Sequence, residues 1–229
     1  MSALNIVKSS FSANKTSSRT RTRVKICGIT RECDVEAVCE SGADAIGFVF
    51  YEKSPRAVAL EQAKKLAQKV SPFVTRVGLF VNANEKQILA TLEKVNLDVL
   101  QFHGDEPEQD CIKFHKPYIK AIRMAPGLDL LTEMNNYPSA SGFLLDSYKK
   151  DVPGGTGQVF NWQSIPKNIG QTIAQPIILA GGLNPSNVSE AIITVRPYAV
   201  DVSGGVESEQ GIKDKTLIQR LINEVCNVN

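Results

Sequence analysis

Two side chains in this chain are suited to moving protons. Cys27 closes the apolar run Val-Lys-Ile-Cys ahead of Gly28, and Asp146 closes the run Gly-Phe-Leu-Leu-Asp at 142–146. An ionised thiol abstracts a proton and a protonated carboxyl donates one, so the pair reads as general base and general acid, with no metal. A free thiol titrates near 8.5, so Cys27 needs help to act near neutrality. Lys25 is the nearby cation in sequence, with its direction open at this stage. Against the catalytic reading stands a plain one, because free cysteine is among the most buried residue types.

Glycine turns accompany the pair. Gly181-Gly182 and Ser203-Gly204-Gly205 each follow a late apolar run, where backbone N–H groups can approach an anion and a short helix N-terminus adds positive charge. Neither turn carries Lys or Arg, so anion recognition falls to backbone dipoles and the Ser203 hydroxyl. Gly154-Gly155-Thr156-Gly157 reads either as a mobile flap over a ligand or as a plain surface loop. Arg56 ends Ser54-Pro55-Arg56 after the second apolar run. The imidazoles are His103 and His115, in no metal-binding spacing, and no glycine-rich turn has the dinucleotide pattern. Neither metal nor nicotinamide nor flavin cofactor is expected.

Positioning these groups requires a scaffold, and the hydrophobic pattern supplies one. Short β-branched runs at 24–27, 45–50, 76–81, 98–102, 118–122, 142–146, 177–180 and 199–203 predict strands, with amphipathic segments between them. Residues 34–40 predict a helix stopped at Gly42, and 85–95 a helix with Ile88, Leu89, Leu92 and Val95 on one stripe. Asn184-Pro185 predicts an N-cap and first helical residue ahead of 188–195. Continuous apolar strands alternating with helices indicate a parallel sheet buried on both faces. Eight such units close into an α/β (β/α)8 TIM barrel in one domain, rather than an open doubly wound sheet, and active sites of such barrels lie at the C-terminal strand ends. Gly28 then reads as a turn leaving room for substrate beside the Cys27 sulfur.

The chain has 229 residues with a formal net charge of +2, but residues 1–23 hold five basic side chains and no acid, leaving 21 basic against 24 acidic beyond them. A mildly acidic body does not suit nucleic acid. The Ser/Thr-rich segment 1–23 reads as a disordered extension, with an organellar transit peptide as the alternative, and 24–229 as the catalytic domain. No apolar run reaches the roughly 20 residues of a membrane span. Five cysteines without a C-x-x-C pair indicate free thiols in a reducing compartment. A cytoplasmic protein is expected, or a stromal one if the leader is a transit peptide, as monomer or homodimer.

Lys-Ile-Cys-Gly-Ile-Thr at 25–30, Gly-Phe-Val-Phe at 47–50 with Ser54-Pro55-Arg56, Leu-Gln-Phe-His-Gly at 100–104, Leu-Leu-Asp at 144–146, Gly-Gly-Thr-Gly at 154–157, Leu-Ala-Gly-Gly-Leu at 179–183 and Val-Ser-Gly-Gly-Val-Glu at 202–207 occur in this order. Together they resemble the phosphoribosylanthranilate isomerases. Phe102 stands where the family usually has Leu, and the 1–23 leader is a departure. The resemblance implies a TIM barrel and an Amadori rearrangement of N-(5-phosphoribosyl)anthranilate in tryptophan biosynthesis, without cofactor. It implies Asp146 as general acid on the furanose oxygen and Cys27 as general base at the adjacent sugar carbon. It further implies Arg56 at the anthranilate carboxylate, Gly182, Ser203, Gly204 and Gly205 at the phosphate, and Gly154 to Gly157 in a flexible loop. Another sugar-phosphate barrel such as the indole-forming synthase would need catalytic Lys and Glu at strand ends, and a non-catalytic phosphate-binding protein would not need Cys27 and Asp146.

Overall fold

The structure is a computed structural model that describes residues 21–148, 159–167 and 169–228. Eight parallel strands form a closed barrel in chain order: β1 Arg23–Cys27, β2 Ala45–Val49, β3 Thr75–Phe80, β4 Val99–Phe102, β5 Tyr118–Met124, β6 Gly142–Ser147, β7 Ile177–Leu179 and β8 Ala199–Val202. Each lies where the apolar runs predict, to within two residues at either end. Between and after them come helices α1 Glu32–Glu40, α2 Leu60–Gln68, α3 Glu85–Lys94, α4 Glu108–Cys111, α5 Leu130–Asn135, α6 Ile169–Thr172, α7 Val188–Val195 and α8 Lys215–Val228. A small hairpin, β9 Glu207–Glu209 and β10 Ile212–Lys213, stands between β8 and α8. Among the described residues no helix is long and apolar enough to cross a membrane.

Alternation along each strand sorts side chains between two cores. Ile26, Phe48, Phe80, Leu100, Phe143 and Leu145 point outward and pack under the helices with Val35, Leu66, Ile88 and Leu221. Each such buried side chain contributes about 1.5–3 kcal/mol relative to exposure. Phe102 belongs to this layer, 6.4 Å from the Phe80 ring and edge-on to Tyr118 at 5.7 Å. Ile119, Ala121, Leu144, Ile178, Ala180 and Ala199 form a second, smaller cluster inside the barrel. That interior is less apolar than the sequence runs suggest. Lys25, Gln101 and Asp201 are buried there too, and they prepare the site above.

One local expectation is corrected. Leu89 is 49% exposed, while Thr91 is buried. At 100° per residue, Leu89 has left the stripe that Ile88 and Val95 occupy. The regular part of α7 starts at Val188, but the turn that leads into it begins at Asn184, which makes the capping contacts: the Ser186 N–H donates to Asn184 Oδ1 at 2.8 Å, the Asn184 N–H donates to Asn187 Oδ1 at 2.9 Å, and the Val188 N–H meets the Asn184 carbonyl at 3.1 Å. Asn184 and Pro185 thus stand at the head of this element, as the sequence predicts. The stop at Gly42 holds, at φ +84° just after Ser41.

Candidate active site

A cavity of about 460 Å³ opens at the C-terminal ends of the strands, within the range of about 300–1,000 Å³ usual for small-molecule sites. Cys27 from β1 and Asp146 from β6 both line it, as does Arg56 from the loop after β2. Gly181 and Gly182 border it after β7, and Ser203, Gly204 and Gly205 after β8. The two turns touch: a Cβ added at Gly205 would fall 1.9 Å from the Leu183 carbonyl oxygen. Gly154 and Gly155 lie outside the described residues.

Cys27 sits on a buried ion pair. Lys25, two residues earlier on β1 and facing the same way, is hydrogen bonded to Asp201 of β8 at 2.8 Å. A Cβ at Gly47 would lie 2.7 Å from the Cys27 sulfur and 3.1 Å from Lys25 Nζ, so this glycine leaves the space in which both groups meet. Burial pushes the Cys27 thiol up, Lys25 pulls it back by charge and hydrogen bond, and Asp201 pushes it up again. Burial works against the Lys25 charge, but Asp201 and Cys27 outweigh it and raise the ammonium to about 12. Lys25 therefore stays charged beneath a thiol that rests protonated.

Gly28 serves a different purpose from the expected one. At φ +79° a Cβ would fall 2.5 Å from Arg56 Cδ and 3.1 Å from Ser203 Oγ. The room it leaves is filled by Arg56 and Ser203, not by substrate space beside the sulfur. Arg56 is held side-on by Glu207, Nε and Nη2 each 2.7 Å from a carboxylate oxygen. Glu207 also accepts from Lys213 Nζ at 2.6 Å, and Lys213 donates to the Ser203 carbonyl at 3.1 Å. Burial opposes the Glu207 charge, yet the two cations hold its carboxyl down to about 2. Burial likewise lowers Lys213 despite Glu207. So a cation does stand behind the glycine turn, brought from β10 rather than from the turn itself. On the far side, Asp146 Oδ1 accepts from the Ser147 N–H at 2.8 Å and Oδ2 lies 3.1 Å from His103 Nε2.

The family model described as N-(5'phosphoribosyl)anthranilate (PRA) isomerase matches residues 24–224. The chain belongs to this isomerase family. A protein of Pseudomonas fluorescens (strain Pf0-1) named N-(5'-phosphoribosyl)anthranilate isomerase is 56% identical over 203 residues, covering 89% of this chain and 98% of its own. The crystal structure of phosphoribosyl anthranilate isomerase from Thermotoga maritima superposes with a TM-score of 0.81 at 40% identity, covering 90% of this chain and 99% of that one. A further solved phosphoribosyl anthranilate isomerase, with a TM-score of 0.77 and 40% identity over the same shares, is in complex with reduced 1-(o-carboxyphenylamino)-1-deoxyribulose 5-phosphate.

In this member of the isomerase family, sequence reasoning missed four residues that shape the cavity: His103, Asp201, Glu207 and Lys213. His103 had a usable signal, since it follows β4 directly and shares a face with Gln101 two residues before. Asp201 stands two residues before Ser203, on the same face of β8. Glu207 ends the Val-Ser-Gly-Gly-Val-Glu run without any mark of its partner, and Lys213 had no mark at all, because both reach the site through the β9–β10 hairpin.

Proposed function

We propose that this chain converts N-(5-phosphoribosyl)anthranilate into 1-(2-carboxyphenylamino)-1-deoxyribulose 5-phosphate by an Amadori rearrangement, a step of tryptophan biosynthesis. The observation that carries this reading is a single cavity in which a thiol on β1 and a carboxyl on β6 face one space beside two glycine turns. Asp146 acts as general acid on the furanose ring oxygen. The carbon–oxygen bond at C1 breaks as the amine lone pair forms the imine, and the proton moves from Asp146 to the leaving oxygen. Cys27, as thiolate against Lys25, then removes the proton from C2, and the released electron pair gives the enol-amine that relaxes to the ketone. Protons are exchanged without net oxidation, so these two side chains suffice.

The glycine turns at 181–182 and 203–205 supply backbone N–H groups for the phosphate. Arg56 serves the anthranilate carboxylate. Its side-on edge is already occupied by Glu207, so the carboxylate meets the remaining Nη1 edge. Fluorescence tests the reading directly, because turnover consumes the anthranilate conjugate and changes its emission. Conversion by the purified chain is expected. A folded chain that binds the conjugate without converting it would overturn the assignment.

A further inference from the structure

The geometry points to His103 as the positioning residue for Asp146, with Gln101 selecting which ring nitrogen of His103 carries the hydrogen. The inference rests on the isomerase reading and says how its acid is held. Gln101 and His103, two apart at the end of β4, both turn into the barrel. Gln101 Nε2 lies 2.9 Å from His103 Nδ1, and His103 Nε2 lies 3.1 Å from Asp146 Oδ2. All three residues are buried. The fourth atom of the chain is unusual: Gln101 Oε1 is buried among the described residues with no hydrogen-bond partner.

Donor and acceptor rules leave two consistent states of a neutral imidazole. In one, the Gln101 amide N–H donates to Nδ1 and the hydrogen sits on Nε2, which donates to Asp146. In the other, the amide is turned over, its oxygen accepts from Nδ1–H, and Nε2 can only accept from a protonated Asp146. The first leaves the Gln101 carbonyl oxygen unmet. The second would bury the two amide hydrogens where that carbonyl now stands, also unmet. The Gln101 amide is set with Nε2 toward Nδ1, and that orientation is consistent with the first state, in which Nε2–H is directed at Oδ2.

Packing does not explain the amide. A leucine at 101 would fill similar interior volume with no orphaned carbonyl, which costs free energy where it stands. What leucine would lack is the donor that keeps Nδ1 free of hydrogen. With Nε2–H fixed toward Asp146, the carboxyl is held from two sides, by His103 at Oδ2 and by the Ser147 N–H at Oδ1. When the O–H bond of Asp146 breaks and its proton passes to the sugar oxygen, the electron pair stays on a carboxylate that both donors already address. The imidazole keeps its own hydrogen throughout.

Histidine-selective 15N NMR tests this without relying on turnover. The chain has two histidines, and His115 is exposed and serves as the reference. In the ligand-free wild type at neutral pH, His103 should show an unprotonated Nδ1 and a protonated Nε2. An Nδ1–H tautomer or a doubly protonated ring would overturn the proposal. In kinetics, Gln101→Leu should lower kcat about tenfold with KM within about twofold. His103→Gln, whose amide can still donate toward Asp146, should keep more kcat than His103→Ala. An unchanged kcat in Gln101→Leu would equally overturn the proposal. A folded wild type with the expected tautomer and no conversion of phosphoribosylanthranilate would count against the isomerase reading and leave the tautomer assignment standing.

Discussion

A thiol enclosed by protein is a poor base until a cation favours its ionised form, and Cys27 shows both influences at once. Burial is the larger and pushes the thiol up; Lys25 opposes it from the layer below. The sign of the pH dependence follows. In the free enzyme the base becomes competent as pH rises, so kcat/KM should increase above neutrality. Lys25→Met combined with Asp201→Asn removes the buried pair without leaving a lone charge. It should move that rise to higher pH, since the pull of Lys25 on the thiolate exceeds the push of Asp201. A rise that stayed in place or moved lower in pH would contradict the role given to Lys25. The proton-transfer roles proposed for Cys27 and Asp146 are tested by Cys27→Ser and Asp146→Asn. Each should lower kcat by about 10²–10⁴-fold, while KM changes little because the phosphate and carboxylate contacts remain. Near-normal turnover in both would remove the mechanism.

Among the elements, the β9–β10 hairpin does more than connect β8 to α8. It carries Glu207 and Lys213 back over the cavity, where Glu207 fixes Arg56 and Lys213 backs Ser203. A carboxyl whose folded value is about 2 stabilises the fold above its ordinary range near 4.5 and loses that contribution as pH falls toward 2. Allowing for cavity water, the contribution is about 2 kcal/mol. Glu207→Gln should therefore unfold more easily than the wild type at pH 7, with the gap closing by about pH 2 in acid-dependent thermal melts. A constant gap across that window would mean the variant acts through packing rather than charge. Arg56 and Glu207 are also where sequence legibility ends. The strands were readable because a parallel strand buried on both sides must be an apolar run, and Cys27, Asp146 and the glycine turns were readable because they follow those runs. A contact between residues 151 positions apart leaves no local trace. The polar interior escaped for a different reason. Lys25 looks like a surface residue until strand alternation and Asp201 place it inside.

For the molecule as a whole, the seam between β1 and β8 closes the barrel, and its upstream edge reaches further back than the first apolar run. Arg23 pairs with Ala199 in the β1–β8 register, bonds the Tyr198 carbonyl at 3.1 Å and stacks 4.2 Å over the Tyr198 ring. Thr22 is buried, and Arg21 grips both oxygens of Asp44, at 2.9 and 2.5 Å. Asp44 in turn accepts from the Val24 N–H at 2.8 Å, so one carboxylate ties the entry of β2 to that of β1. The functional boundary of the basic leader should thus fall before Arg21 rather than inside β1. Deleting residues 1–20 should leave turnover and melting temperature unchanged. Deleting 1–23 should lower the melting temperature by about 4–8 °C, the shift expected for a loss of about 2 kcal/mol in a chain of this size. The cavity residues remain in both, so kcat at low temperature should survive the longer cut even as stability falls. Equal melting temperatures for the two truncations would show that the Arg21–Asp44 and Arg23–Tyr198 contacts add nothing to closure, and that the seam is held by the β1–β8 hydrogen bonds and the Lys25–Asp201 pair alone.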